Sequence, residues 1–291
     1  MEFLQLYYFQ TVARTEHMTK AAEELRIAQP SLSKTIARLE ADLGVPLFDR
    51  HGRQLRLNSY GKTFLQRVDR VFMEIHEGRR ELQDRAGLDK GNITLAVSIP
   101  KLLPELLGSF LREFPDVLIR QRIESTSTMK RLLEIGDIDF CITSVPIEGP
   151  ELEWIPLLTE EIFLIIPSEH PLAEQDSINL IELKDESFIS MNTGFGFRDL
   201  TDALCKEVGF IPNITFEGDD PETIGALVRQ GLGIAFIPAL SMNRITNPKL
   251  KCLQINEPNC QRTIGLSWSK RHYLSLAAQS FRDHVIRYFL K

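Results

Sequence analysis

The chain has 291 residues, 43% of them hydrophobic and 25% charged, and a net charge of −6. That composition suits two or three ordinary globular domains and excludes a disordered or collagen-like chain. No stretch reaches 18 apolar residues, and Met1 to Gln10 has no basic leader before a long apolar core. Neither a membrane span nor a signal peptide is expected, and the chain reads as cytoplasmic.

Charge is unevenly spread. Residues 1–90 hold 15 Lys+Arg against 13 Asp+Glu, and the remainder holds 19 against 27. A slightly basic front on an acidic body fits a small nucleic-acid-contacting module, because DNA contact needs local positive charge only. Cys141, Cys205, Cys252 and Cys260 form no CxxC pair and have no His nearby. They read as free thiols in a reducing compartment, and no metal is expected.

The first 90 residues read as helical with one hairpin. Phe3 to Val12 carries an apolar stripe at helical spacing. Thr19 is placed to cap a short helix through Ala21, Ala22 and Leu25. After the turn Ile27-Ala28-Gln29, Pro30 opens a third helix that presents Leu32, Ile36 and Leu39 on one face and stops at Gly44. Two short helices joined by a tight turn form a helix-turn-helix. His51-Gly52-Arg53-Gln54 reads as the tip of a small wing between Leu47-Phe48 and Leu55–Leu57. Asn58 or Ser59 then caps a helix running to about Leu88, with Phe64, Val68, Val71, Phe72, Ile75 and Leu82 as its stripe. So long an amphipathic helix beside a small module predicts a dimerising stalk.

Gly87, Gly91 and Asn92 mark a break. Strands over 93–99, 117–123 and 138–143 alternate with helices over 102–114 and 129–135, a βαβαβ pattern that predicts a mostly parallel sheet. The alternation continues with strands over 161–167, 187–191, 214–217, 231–237 and 263–269. Helices are expected over 196–208, 223–229 and 273–289. Two similar α/β lobes with a cleft between them are the economical architecture.

These residues closely resemble the LysR-type transcriptional regulators. The resemblance rests on Thr19 to Lys34 (TKAAEELRIAQPSLSK), Ile36 to Arg50 (IARLEADLGVPLFDR) and the wing Arg53 to Gly61 (RQLRLNSYG). Weaker matches follow at Leu103-Pro104, Phe114-Pro115, Gly136 to Asp139 and Gly231 to Pro238. Asn58, Tyr60 and His17-Met18 depart from the family's usual residues, on capping or packing positions. The resemblance covers essentially the whole chain. It implies α/β with an all-α N-terminal part: a winged helix-turn-helix plus a two-lobed α/β domain resembling periplasmic binding proteins. The expected division is 1–58 for DNA binding, 59–90 for the linker and dimerisation helix, and 91–291 for effector binding. Within the last, lobe I takes 91–160 and 266–291, and lobe II takes 161–265. The implied partners are double-stranded promoter DNA, further copies of the chain in a dimer or tetramer, RNA polymerase and a small-molecule effector. No cofactor is expected beyond that co-inducer.

In a helix-turn-helix the start of the second helix enters the major groove. Gln29, Pro30, Ser31, Ser33 and Lys34 occupy that start, and Arg38 stands one turn beyond Lys34. Gln29 suits adenine or a capping role. The two serines suit phosphate or base edges, Lys34 base or phosphate, and Arg38 phosphate. Arg53 at the wing tip is the expected backbone or minor-groove contact, while Arg50 could instead pair with Asp49 or Glu40.

Ligands of open α/β lobes bind beyond the carboxyl ends of strands. Ser98 and Lys101 follow the first strand of the body, and Thr126 and Ser127 follow the second. Thr193, Gly194, Phe195 and Phe197 lie between a later strand and its helix. Hydroxyls and free N–H groups there suit a carboxylate or phosphate, and the phenylalanines suit an apolar part of the ligand. Ser98 and Ser127 match positions where the family often binds its effector. Lys101 and Arg198 offer positive charge, and each reads equally well as a surface residue. Glu124 opposes an anion if it faces the cleft. The same serines and threonines also read as ordinary helix caps.

An enzyme is the rival class. The body has no P-loop, HExxH or GxSxG, and Asp137 and Asp139 read as turn and strand-edge residues. A DNA-binding protein whose body only assembles subunits is the other alternative.

Overall fold

A computed structural model describes residues 1–51, 54–86, 91–242 and 248–290. Arg53 and the expected break at Gly87 fall outside the described residues. The chain divides into two compact units, Met1–Leu82 and Gln83–Lys291.

The first unit contains α1 (Phe3–Thr15), α2 (Met18–Glu24), α3 (Gln29–Leu43), β1 (Phe48–His51) and β2 (Gln54–Leu57). α4 (Ser59–Arg85) begins in this unit and ends in the second. The cap of α2 is His17 rather than Thr19, which lies inside the helix. His17 has extended backbone, and its Nδ1 accepts from the Lys20 N–H at 3.3 Å, as a serine oxygen does elsewhere. The turn into α3 places Arg26 at φ 54°, and Gly44 closes α3 at φ 72°. Phe9, Val12, Ala21, Leu32, Ile36, Leu39 and Leu47 are buried together, with Ala21 small enough for α2 to approach its neighbours. β1 and β2 pair antiparallel from Phe48↔Leu57 to His51↔Gln54. Asn58 starts α4 by accepting from the Gly61 N–H at 2.9 Å while donating to the Pro46 carbonyl at 2.9 Å. Gly61 is required there, because a Cβ on it would stand 2.2 Å from the Leu47 carbonyl oxygen. α4 lies on α1 through Phe72 against Phe3 at 4.7 Å and Asp69 accepting from Gln10 at 2.7 Å.

The second unit runs β3 (Asn92–Val97), α5 (Leu103–Glu113), β4 (Leu118–Arg122), α6 (Thr126–Glu134), β5 (Phe140–Thr143) and β6 (Leu152–Pro167). Then come β7 (Ser177–Ile178), β8 (Ser187–Met191), α7 (Gly196–Glu207), β9 (Asn213–Gly218) and α8 (Pro221–Arg229). β10 (Ala235–Pro238), α9 (Ala239–Met242), β11 (Leu250–Ile255), β12 (Gln261–Ser269) and α10 (Leu276–Phe289) complete it. The sheet order is β4-β3-β5-β12-β6-β11-β7, with β10 also on β6.

The expectation of a mostly parallel sheet holds for β4, β3 and β5, which are joined by helical crossovers, and parallel pairing recurs between β7 and β11 and between β8 and β9. β12 pairs antiparallel with β5 and β6, and β10 and β11 pair antiparallel with β6. β6 is 16 residues long, where the sequence suggested a strand only from Glu161. Pro156 disguises its first half, yet the pairing with β12 continues past it from Leu152↔Ser269 to Glu161↔Gln261.

Among the described residues the second unit holds four apolar clusters, of which two are the largest. One joins Ile93, Leu95, Phe110, Phe140, Ile264 and Phe281 from β3, α5, β5, β12 and α10. The other joins Ile162, Leu164, Phe188, Leu204, Leu253 and Cys260. β6 serves both, giving Leu157 to the first and Ile162, Leu164 and Ile166 to the second.

Candidate functional sites

Gln29, Pro30, Ser31, Lys34 and Arg38 are exposed on α3 and Ser33 is half-buried, while Leu32, Ile36 and Leu39 fix the opposite face in the core. Gln29 is not the cap: Ala28 holds that position with extended backbone and no side-chain hydrogen bond. Pro30 has no N–H, and the N–H groups of Ser31 and Leu32 donate to the Ala28 carbonyl at 3.0 and 3.2 Å, so the exposed side chains rather than free backbone donors define this helix start. Lys34 meets no carboxylate among the described residues. Arg38 stands 3.9 Å from Glu2, with both side chains about two-thirds exposed, so that contact competes weakly with phosphate. The Arg50 side chain, considered as a partner of Glu40 or Asp49, lies outside what the structure describes. Glu40 Oε1 accepts from the N–H groups of Leu47 at 2.7 Å and Phe48 at 3.3 Å, tying the wing's first strand to α3.

In the second unit, most of the expected ligand residues gather where α6 and α7 begin. The Thr126 N–H donates to the Gly194 carbonyl at 3.1 Å. Gly194 has φ 88°, and a Cβ on it would lie 3.7 Å from Ser125 Cβ. Gly196, the first residue of α7, is packed so closely that a Cβ would stand 2.7 Å from a Val145 methyl. Ser125, unnoticed in the sequence, is the cap of α6. Its Oγ accepts from the Thr128 N–H at 3.3 Å and lies 3.2 Å from the Ser127 hydroxyl. Ser127 and Thr193 are exposed, Thr126 and Phe195 half-buried.

Three other residues are placed differently. The half-buried Ser98 directly follows β3, and its N–H donates to the Ile142 carbonyl at 3.0 Å. Lys101 is exposed, and its ammonium donates to the Leu240 carbonyl. Phe197 packs on the second core and carries the Arg262 guanidinium 5.1 Å from its ring centre. Arg198 has its charge engaged: it bonds Asp202 and Glu217, each at 2.7 Å, and the Met191 carbonyl at 3.0 Å. Burial opposes that charge, but the bonds to Glu217 and Asp202 outweigh it and hold the guanidinium above its ordinary value.

The paired carboxylates are structural. Asp139 is buried and accepts from the Thr94 N–H at 2.8 Å, and Asp137 pairs with Arg122 at 2.7 Å. Among the described residues no group of three His, Cys, Asp or Glu could hold a metal ion, and no helix is long and apolar enough to cross a membrane.

Two family models match. Residues 3–62 match the bacterial regulatory helix-turn-helix protein, lysR family, and residues 86–290 match the LysR substrate binding domain. The uncharacterized HTH-type transcriptional regulator YybE of Bacillus subtilis is 41% identical over 99% of both chains. The full-length CbnR structure in complex with its target DNA aligns with TM-score 0.69 and 25% identity over 99% of both chains. The effector binding domain of QuiR in complex with shikimate aligns with TM-score 0.63 and 30% identity, covering 69% of this chain and 97% of that one. With an N-terminal helix-turn-helix and a two-lobed α/β body both matched along the chain, this protein belongs to the LysR family of DNA-binding transcriptional regulators.

Proposed function

We propose that this regulator reads promoter DNA with the exposed start of α3 and senses a small anionic metabolite in the cleft where α6 and α7 begin. Gln29, Pro30, Ser31, Ser33, Lys34 and Arg38, with Arg53 at the wing tip, form the DNA surface. Ser98, Lys101, Thr126, Ser127, Thr193, Gly194, Phe195 and Phe197 surround the ligand.

The observation that carries the ligand reading is the bond from Thr126 to Gly194, which brings two helix starts and their hydroxyls to one place. The shikimate bound by the QuiR domain is a carboxylate on a polar ring, the kind of compound such a place suits. α4 serves as the stalk between copies, since Val71, Ile75 and Leu82 lie exposed along it. A dimer or tetramer spaces its helix-turn-helix units along the operator. Ligand favours one arrangement of the bodies, and RNA polymerase is recruited or excluded accordingly.

Thermal unfolding against small carboxylates including shikimate, sugar phosphates, amino acids and aromatic acids tests the ligand class. A concentration-dependent rise with an acid is expected, because a ligand of the native state stabilises it by mass action. A response to neutral compounds alone overturns the anionic reading.

A further inference from the structure

A buried ion pair reaches Phe197 directly and Lys101 through Leu240. Glu160 on β6 and Arg262 on β12 are direct partners across the two strands, and both side chains are 5% exposed. Arg262 Nε and Nη2 reach Glu160 Oε1 at 2.7 and 2.6 Å. The other carboxylate oxygen accepts from the Leu240 N–H at 2.6 Å. The carbonyl of that same Leu240 accepts from the Lys101 ammonium, and its side chain packs on the first core. On the opposite side the guanidinium lies over Phe197, which packs on the second core. The pair is therefore one contact from Phe197 at the start of α7 and two from Lys101, just beyond Ser98.

Burial works against the Arg262 charge, and Glu160 supports it. Two apolar side chains of similar volume would span this junction at no greater cost in stability. What an apolar pair cannot supply is direction: three short hydrogen bonds admit one geometry, and a greasy contact admits many.

We propose that Glu160 and Arg262 form a positioning strut that fixes the spacing of the 98–101 and 193–197 loops and so links ligand capture to the relation of the two lobes. The functional meaning rests on the cleft being a ligand site, but the strut itself can be tested without ligand. Leu240 is the joint: its two backbone groups are held by Glu160 and Lys101, so loss of the pair frees α9 and both loops together.

Hydrogen exchange on the full-length unliganded chain tests this. The variants are Arg262→Met and the double variant Glu160→Leu with Arg262→Met, which leaves no buried charge unpaired. If Arg262→Met does not fold, the double variant decides. The expected result is at least tenfold faster exchange at residues 98–102, 193–199 and 239–242, with the amides of β3, β5 and β8 keeping their rates. Unchanged loops overturn the strut. So does uniform acceleration through both cores, or failure of the double variant to fold, because the pair then serves the fold alone. Loosened loops in a chain that binds no acid would leave the strut standing and sink the ligand reading. Ligand binding with unmoved loops does the reverse.

Discussion

The Glu40 carboxylate accepts the Leu47 N–H at 2.7 Å, joining the helix proposed to read bases to the first strand of the wing. Without it, the N–H groups of Leu47 and Phe48 lose their acceptor in a largely buried place. Glu40→Ala is expected to cost on the order of 1–3 kcal/mol in the first unit, read as a lower thermal midpoint, and to weaken DNA binding as the wing loosens. Glu40→Gln keeps an acceptor and should cost less. Equal losses from both changes would place the effect in the charge instead.

Lys34 and Arg38 should separate in a salt titration of DNA binding. Arg38→Ala removes a phosphate contact, so affinity falls alike for every sequence and the logarithmic salt slope drops by about one. Arg53→Ala should behave the same way. Lys34→Ala should also change the preferred sequence in a selection from random DNA. An unaltered slope for Arg38→Ala would remove it from the DNA surface.

Gly61→Ala is a sharper test of the first unit than any core truncation. The new methyl meets a backbone oxygen at 2.2 Å, which cannot rotate away. Overpacking of this kind costs about 1–3 kcal/mol. A variant that melts with the wild type would mean α4 can shift away from Leu47.

Arg198→Met leaves the carboxylates of Asp202 and Glu217 facing each other beside the 191–197 loop. The two acids are 39% and 41% exposed, so solvent screening reduces the loss to about 1 kcal/mol. The larger expected effect is on ligand binding. Any acid that raises the melting temperature of the wild type should do so less in this variant.

The cysteines give a prediction in pH. Burial pushes the Cys205 thiol up to about 12, and Cys252 and Cys260 up to about 11. At pH 8 a thiol at about 11 is about one part in a thousand thiolate, so alkylation of the native chain should be slow and become fast on unfolding. Because the folded values are raised, the stability they contribute is complete below the ordinary thiol range. It is lost as pH rises through about 11. Rapid labelling of the native chain at pH 8 would contradict the burial.

The helix-turn-helix was legible because its signals are local: Pro30 and Gly44 punctuate α3, and Leu32, Ile36 and Leu39 mark its buried face. The helices and parallel strands at the front of the body were legible for the same reason. The strands over 161–167, 231–237 and 263–269 were legible as strands, but their antiparallel direction was not, because direction is settled by partners far away in the chain. β11 escaped notice since Lys251 and Gln254 interrupt its apolar residues. Around the cleft the sequence offered the right loops without their meeting. The contact from Thr126 to Gly194 spans many residues, and the Glu160–Arg262 bond joins positions 102 apart. Neither leaves a pattern within any short window. Arg198 misled in the opposite way, since Asp202 and Glu217 had to be placed before its charge could be seen as spoken for.

β6 leaves the first core at Glu161, and β12 returns to it at Gln261, its direct partner. Beside them the Ile162 N–H meets the Cys260 carbonyl at 2.8 Å. The second lobe thus enters and leaves through one doorway, while the first lobe is assembled from both ends of the unit. On the ribosome the order follows. Residues 162–260 can bury their core while β12 and α10 are still being made, and the first lobe waits for Phe281 and the rest of α10 to emerge. The lobe begun first is the one finished last.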